Sequence, residues 1–252
     1  MSERAAALAR YLKDRIALAE PELFVASGER GRWLARAREA TAAKGTGEHD
    51  PAGAAAPGGA DAIATLPDLE ALRAVALSCT RCPLHESRRH VVFAEGDARA
   101  RVLCVGEAPG AREDETGRPF VGRAGRLLDR LLLSVGFRRE DVFICNVLKC
   151  RPPGNRDPDP LEIERCSPLL LRQIELVQPD VIVAFGAFAA RTLLGTREAL
   201  GRLRGRTYRY RGRPLVATYH PAALLRNPGW TRPAWEDLQR VRKIVDAAAV
   251  GT

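Results

Sequence analysis

The sequence predicts a three-layer α/β/α domain around a central, mostly parallel four-stranded sheet. Apolar, β-branched runs recur at 101–106 (RVLCVG), 142–147 (VFICNV), 181–186 (VIVAFG) and 214–220 (PLVATYH). Each run is apolar on both faces, as strands covered from two sides must be. The stretches between the runs have helical spacing, so successive strands are joined by crossovers and lie parallel. The polar residues collect where the runs end, at Gly106-Glu107-Ala108, Asn146 and His220. In an open parallel sheet that carboxyl edge is where ligands bind.

In chain order, Ser2 can cap a helix with Leu8, Tyr11, Leu12 and Ile16 on one stripe, so residues 1–44 read as an N-terminal helical extension. Twelve of the sixteen residues 45–60 are Gly, Ala or Pro, too few large apolar groups to offset the entropy of ordering. Residues 45–65 therefore read as a flexible linker, with the folded domain at 66–252. Within it, Leu127, Leu128, Leu131 and Leu132 make a helical face ended by Gly136, and further helices fit 160–177, 187–194 and 233–249. Residues 197–213 hold seven Arg and one acid. Tyr208 and Tyr210 alternate there as in a strand, and Arg211-Gly212 suits a hairpin turn, so the segment reads as a basic edge with phosphate contacts.

The 252 residues carry 40 Lys plus Arg against 31 Asp plus Glu, a net +9 that favours a polyanionic partner over an acidic small molecule. No run approaches eighteen apolar residues and the first residues are charged, which argues against a membrane span or signal peptide and for a cytoplasmic protein. A reducing compartment makes six cysteines a poor disulfide framework. Cys104 and Cys145 sit inside apolar strands and read as small buried hydrophobes. Cys79 and Cys82 form a CxxC turn, followed by Cys150 and Cys166 around the polar loop RPPGNRDPDP. Four thiolates so spaced can hold either zinc or an iron-sulfur cluster.

Taken together, GEAPGAREDETGRPFVGRAG, NVLKCRPPGNR and HPAALLR, with the four cysteines, closely resemble the family 4, iron-sulfur, uracil-DNA glycosylases over about residues 77–245. The resemblance implies a monofunctional base-excision enzyme that hydrolyses the N-glycosidic bond of deoxyuridine in DNA, and the chain is expected to act as a monomer. It also implies a structural [4Fe-4S] cluster on Cys79, Cys82, Cys150 and Cys166, with structural zinc as runner-up, and a cluster loop that brings Arg151 and Arg156 near the DNA backbone.

That chemistry needs a flipped base to be read and its anion stabilised. Asn146 offers an acceptor and two donors to the N3-H and O4 edge of uracil, and Phe120 offers a face for stacking. Backbone N-H groups of Gly106, Glu107 and Ala108, with the His220 imidazole, can hold the departing anion. Glu107, Glu113 or Asp114 could orient water or stabilise the sugar cation, and Glu113 matches the position thought to exclude thymine. Where better-studied relatives of other families carry an Asp, this chain has Ala108. Leu224, Leu225 and Arg226 read as a wedge that holds the duplex open. Two other readings remain at this point. One is a relative trapped on uracil-DNA without turnover, against which the loop after Lys149 lacks a His. The other is an iron-sulfur nucleic-acid-binding module that performs no hydrolysis.

Overall fold

The computed structural model describes residues 60–250. Four parallel strands form the centre of the sheet: β2 (Val102–Gly106), β3 (Phe143–Asn146), β4 (Val181–Phe185) and β6 (Arg213–Thr218). The expectation of four strands is corrected to six. A two-residue strand, β1 (Glu95–Gly96), pairs antiparallel with β3, and β5 (Thr207–Tyr210) pairs antiparallel with β6, in the order β1-β3-β2-β4-β6-β5. β1 is too short to leave a period in the sequence. β5 and the Arg211-Gly212 turn were legible, and both turn residues have positive φ (47° and 82°), as a tight hairpin turn matching strand twist requires. β2 is flanked by β3 on one side and β4 on the other, so the chain changes direction across the sheet there.

Alternation divides the core. Leu103, Val105, Phe143, Cys145, Ile182, Ala184, Leu215 and Ala217 face one layer, while Val102, Cys104, Ile144, Val181, Val183, Phe185 and Val216 face the other. The first layer holds α1 (Ala60–Ala64), α2 (Leu69–Leu77), α3 (Leu84–Ser87), α6 (Pro160–Val177), α7 (Gly186–Leu194) and α8 (Leu200–Leu203). α5 (Arg123–Leu133), α9 (Pro221–Arg226) and α10 (Thr231–Val250) form the second. Cys104 and Cys145 are fully buried, as their apolar runs implied. α6 begins on a reciprocal cap in which the Asp159 side chain takes the Leu161 N-H and the Glu162 carboxylate takes the Asp159 N-H.

The folded part starts earlier than Leu66. Residues 60–64, read as linker, are helical, and Ile63 is fully buried in the first layer. One apolar side chain in an Ala-rich stretch anchors a turn that composition alone does not reveal. The expected N-terminal helix and residues 45–59 of the expected linker lie outside the described residues.

Gly125 lies where α5 passes beneath the segment before it: a Cβ there would stand 1.7 Å from the Phe120 carbonyl oxygen, a backbone atom. Gly201, in α8, has nothing within 4 Å. Gly125→Ala should therefore cost about 1–3 kcal/mol of stability through overpacking, whereas Gly201→Ala should be neutral or stabilise by about 0.4–1 kcal/mol. Urea unfolding of the two variants beside the parent measures both.

Candidate active site

At the carboxyl edge of the sheet, Gly106 and Asn146 are register partners at the ends of β2 and β3. A Cβ on Gly106 would lie 2.3 Å from Asn146 Oδ1 and 2.5 Å from Phe120 Cζ. Only glycine allows an amide and an aromatic ring to rest on the same strand end. The Phe120 ring stacks on the His220 ring with centroids 5.4 Å apart and meets Phe185 edge-on at 6.3 Å. His220 follows β6, and Gly186, which opens α7 with φ +93°, backs onto its Cβ. Glu107 continues directly from Gly106, and the Gly106 and Glu107 carbonyls accept from the Val147 and Leu148 N-H groups, each at 3.0 Å. Asn146 and Phe120 are buried, while Glu107, Ala108 and His220 are partly open to solvent.

Phe120 is held in an unusual backbone state, φ 51°, which a bulky residue adopts only when its surroundings impose it. Arg139 supplies the main restraint. Its Nη1 donates to the Phe120 carbonyl (3.1 Å) and to Asp129 (2.8 Å), its Nη2 donates to the Pro119 carbonyl (2.5 Å), and Nε and Nη2 also reach Glu95. On the other side, Glu113 Oε1 accepts from the Val121 and Gly122 N-H groups at 2.9 and 3.0 Å. Glu113 thus anchors the loop that carries Phe120.

His220 caps α9: its Nδ1 accepts from the Ala222 N-H at 3.2 Å, which assigns the ring proton to Nε2. Burial, reinforced by the Arg226 charge and opposed by Glu113, pushes its pKa down to about 4, so the ring is a neutral donor at physiological pH. Glu107 shifts the opposite way, up to about 7, because burial disfavours its charge and Asp157 adds repulsion. Asp157 lies in the loop between Cys150 and Cys166, so the charge of that loop is felt at Glu107.

Other expected residues are placed differently. Asp114, buried, accepts from the Arg89 and His90 N-H groups with Oδ1 and so braces a neighbouring loop instead of facing the rim. Leu224 is fully buried against the second layer and cannot form part of an exposed wedge; on the six-residue α9 Arg226 is exposed, while Leu225 is half-buried and packs against that layer. Arg156 is taken up by a two-point ion pair with Glu162 at 2.9 and 2.5 Å, and Arg151 Nε donates to Asn155. Several arginines of 197–213 have internal partners: Arg204 with Asp237 and the Pro233 carbonyl, Arg211 with Glu175, and Arg213 with the Pro179 carbonyl. Arg211 and Arg213 stand at the amino edge of the sheet, opposite the rim.

The four spaced cysteines are free thiols, with Cys79 and Cys82 half-buried and Cys150 and Cys166 buried. Each of Cys82, Cys150 and Cys166 has at least one other member of the four among the groups that perturb it, and burial raises all three thiols. Donors point at the sulfurs: Arg88 Nη1 lies 3.4 Å from Cys150 Sγ, and the Lys149 N-H lies 3.3 Å from Cys166 Sγ. Buried sulfurs that receive hydrogen bonds beside cationic groups fit an anionic metal-thiolate centre, since metal binding supplies the positive charge that deprotonates them. Among the described residues no three His, Cys, Asp or Glu side chains are grouped as for a single metal ion.

Lys149 connects this centre to the rim. Its buried Nζ donates to the Asn146 carbonyl (2.7 Å) and to Gln173 Oε1 (2.6 Å), and Gln173 Nε2 donates to the Phe93 carbonyl. Sequence reasoning missed both Lys149 and Arg139. A polar residue interrupting the apolar run before Cys150 was a readable signal for the first; nothing local marks the second.

A stacking face, an amide edge and a neutral imidazole donor on the switch-point rim of a parallel α/β sheet define a domain equipped to hold a small planar polar ring. Comparison with known proteins agrees. The model of the uracil DNA glycosylase superfamily matches residues 93–239. A type-4 uracil-DNA glycosylase of Thermotoga maritima is 48% identical over 171 residues, 66% of this chain and 89% of that protein. One from Pyrobaculum aerophilum is 47% identical over 179 residues, covering 68% and 91%. A type-5 uracil-DNA glycosylase from the same organism is 33% identical over 187 residues, covering 61% and 82%. The chain belongs to the uracil DNA glycosylase superfamily and, within it, to the type-4 family. No helix among the described residues is long and apolar enough to cross a membrane.

Burial alone would raise the Glu95 carboxyl, but hydrogen bonds and charge from Arg118 and Arg139 hold it at about 2, below the usual 4.5. A lowered folded pKa contributes stability that is full above the unfolded value and fades as pH falls through the folded one. Glu95→Gln should therefore destabilise the protein at neutral pH, and the urea midpoints of parent and variant should converge as pH falls from about 4.5 toward 2.

Proposed function

We propose that this chain is a monomeric, cytoplasmic DNA-repair glycosylase: it flips uracil out of DNA, hydrolyses the N-glycosidic bond and leaves an abasic site for base excision repair. The observation that carries this reading is the meeting of the Asn146 amide and the Phe120 ring over Gly106, with the neutral His220 ring stacked beside them. In this reading the base enters past Glu107 and His220. Its face rests on Phe120 and its N3-H and O4 edge pairs with the Asn146 amide, a pattern that cytosine inverts.

As the bond breaks, negative charge grows on the ring and positive charge on the sugar. His220 Nε2-H and the backbone N-H groups of Glu107 and Ala108 are the donors for the departing anion; the Gly106 N-H, expected among them, faces β3 in the ladder, as does the Gly106 carbonyl that accepts from Val147. A neutral imidazole suits this work because it donates without needing to hold a proton against a buried, desolvated setting. Glu107, with its pKa near working pH, is the carboxyl that orients water or stabilises the sugar cation. Glu113, expected as a catalytic acid, serves by holding the Phe120 loop. Arg226, exposed, and the half-buried Leu225 fill the gap left by the flipped nucleotide, and Arg151 approaches the backbone beside the cysteine loop.

Cys79, Cys82, Cys150 and Cys166 are the ligands of a [4Fe-4S] cluster, with structural zinc the runner-up. The cluster cross-links the segment after α2 to the two ends of the loop that carries Asp157 and takes no part in bond breaking. The ligand set, the sulfur hydrogen bonds and the kinship to type-4 enzymes support it.

The primary test is alkaline cleavage of labelled oligonucleotides after incubation with the protein, with strand breaks expected at uracil and none at thymine or cytosine. Asn146→Ala and His220→Ala should each lower the single-turnover rate by roughly 10²–10³-fold, the usual loss when one donor to a developing anion is removed. Cleavage by both variants at the parental rate would reject the site. If Glu107 acts as a carboxylate, kcat/KM should rise with pH through about 7 as it loses its proton, and Glu107→Gln should flatten that limb; His220, at about 4, adds no break in this window. Cys150→Ala should remove the broad visible absorption of the cluster and lower the unfolding midpoint.

A further inference from the structure

Between α4 (Ala111–Thr116) and α5 runs an open cleft of about 600 Å³ lined by Arg112, Thr116, Val121, Gly122, Arg123 and Arg126. No acidic side chain lines it. Arg112 reaches Glu115 at 3.3 Å across an exposed pair, but Arg123 and Arg126 have no side-chain hydrogen bond or ion pair among the described residues. These two stand three apart on one helix face, where like charges repel. They also occupy the first turn of α5, which contains no acid, so the helix dipole opposes them as well. Among the described residues no acidic side chain pairs with Arg123 or Arg126, and the Glu113 carboxylate at the start of α5 is engaged by the Val121 and Gly122 N-H groups. An external polyanion would offset both repulsions, and the net +9 charge points the same way.

Position narrows the partner. Val121 and Gly122 form the wall of the cleft, and they continue directly from Phe120, the stacking residue of the rim. Both are fixed by the Glu113 carboxylate, so wall and stacking ring belong to one rigid piece. A strand that delivers a base to Phe120 must carry its neighbouring phosphates past this wall. We propose that the Arg112–Arg123–Arg126 cleft binds a backbone phosphodiester of the DNA strand bearing the target base. The proposal rests on the glycosylase reading. It adds a strand-gripping site separate from α9 and from the cysteine loop.

The test is fluorescence anisotropy with an oligonucleotide carrying a hydrolysis-resistant 2′-fluoro deoxyuridine, titrated over a range of salt. For the Arg123→Gln/Arg126→Gln double variant, the slope of log affinity against log salt should become shallower by about 0.7–0.9, the share of one lost phosphate contact. Affinity at low salt should fall by about tenfold or more. The Arg99→Gln/Arg211→Gln control removes the same charge at the amino edge and should keep the parental slope. Replacing one phosphate beside the uridine by a neutral methylphosphonate should weaken the parent at a particular position and leave the double variant unaffected there. An unchanged slope in the double variant overturns the proposal. So does an equal change in the control, or a methylphosphonate penalty of the same size in parent and variant at every position. Failure of the parent to release uracil, with the arginine-dependent slope intact, would count against the glycosylase reading and leave the cleft standing.

Discussion

The Arg139 guanidinium holds together parts of the chain that share no regular structure. Its fork binds the Pro119 and Phe120 carbonyls, the Asp129 carboxylate on α5 and the Glu95 carboxylate on edge strand β1. Planar, permanently charged and rich in donors, arginine is the one side chain that can satisfy so many acceptors at once. What it secures is a phenylalanine in a left-handed backbone state, with its ring over Gly106 and against His220. The lack of a Cβ at Gly125 clears the space beneath that loop, and Glu113 fixes the residues after it. Without these three restraints the ring would relax away from the strand end, and Asn146 would face the rim with no stacking partner. A loop conformation that costs energy alone is here over-determined by its surroundings, the circumstance in which such strain persists at functional sites.

Much of the architecture was legible because burial on two faces writes continuous apolar runs, and because α5, α6, α7 and α10 carry long periodic faces. Edge strand β1 and the short helices were not legible: two to five residues leave no period. The rim was legible to the extent that strand ends can be read, so Gly106, Asn146 and His220 were found together. The acids between β2 and α5 were harder. Sequence shows four carboxylates in one stretch, but only packing distinguishes Glu107, whose charge is disfavoured, from Glu113 and Asp114, which accept backbone N-H groups. Leu224 failed for a similar reason, since three consecutive side chains on a short helix cannot all face outward.

The cysteine-bearing segment and the rim are joined by two separate routes. Lys149 runs from the backbone of Asn146 to Gln173 on α6, immediately before Cys150 in sequence. Asp157, in the loop between Cys150 and Cys166, raises the pKa of Glu107. The polar loop RPPGNRDPDP buries only Pro152 and Pro158. The rest of its hold on the domain comes from Glu162 with Arg156, the cap of α6 and the cysteines at its ends. The cysteines at the loop's ends therefore bear on Glu107, whose pKa is raised first by burial and further by the Asp157 charge.

The β5-β6 hairpin turns at Arg211-Gly212, with Arg211 tied to Glu175 and Arg213 to the Pro179 carbonyl, at the end of the sheet farthest from Asn146 and His220. Its tip is polar and its turn geometry is set by local positive φ angles, so extra chain there would disturb neither core layer. A reporter dye, an affinity handle or a fused module could be grafted at that turn and leave the opposite rim sterically clear.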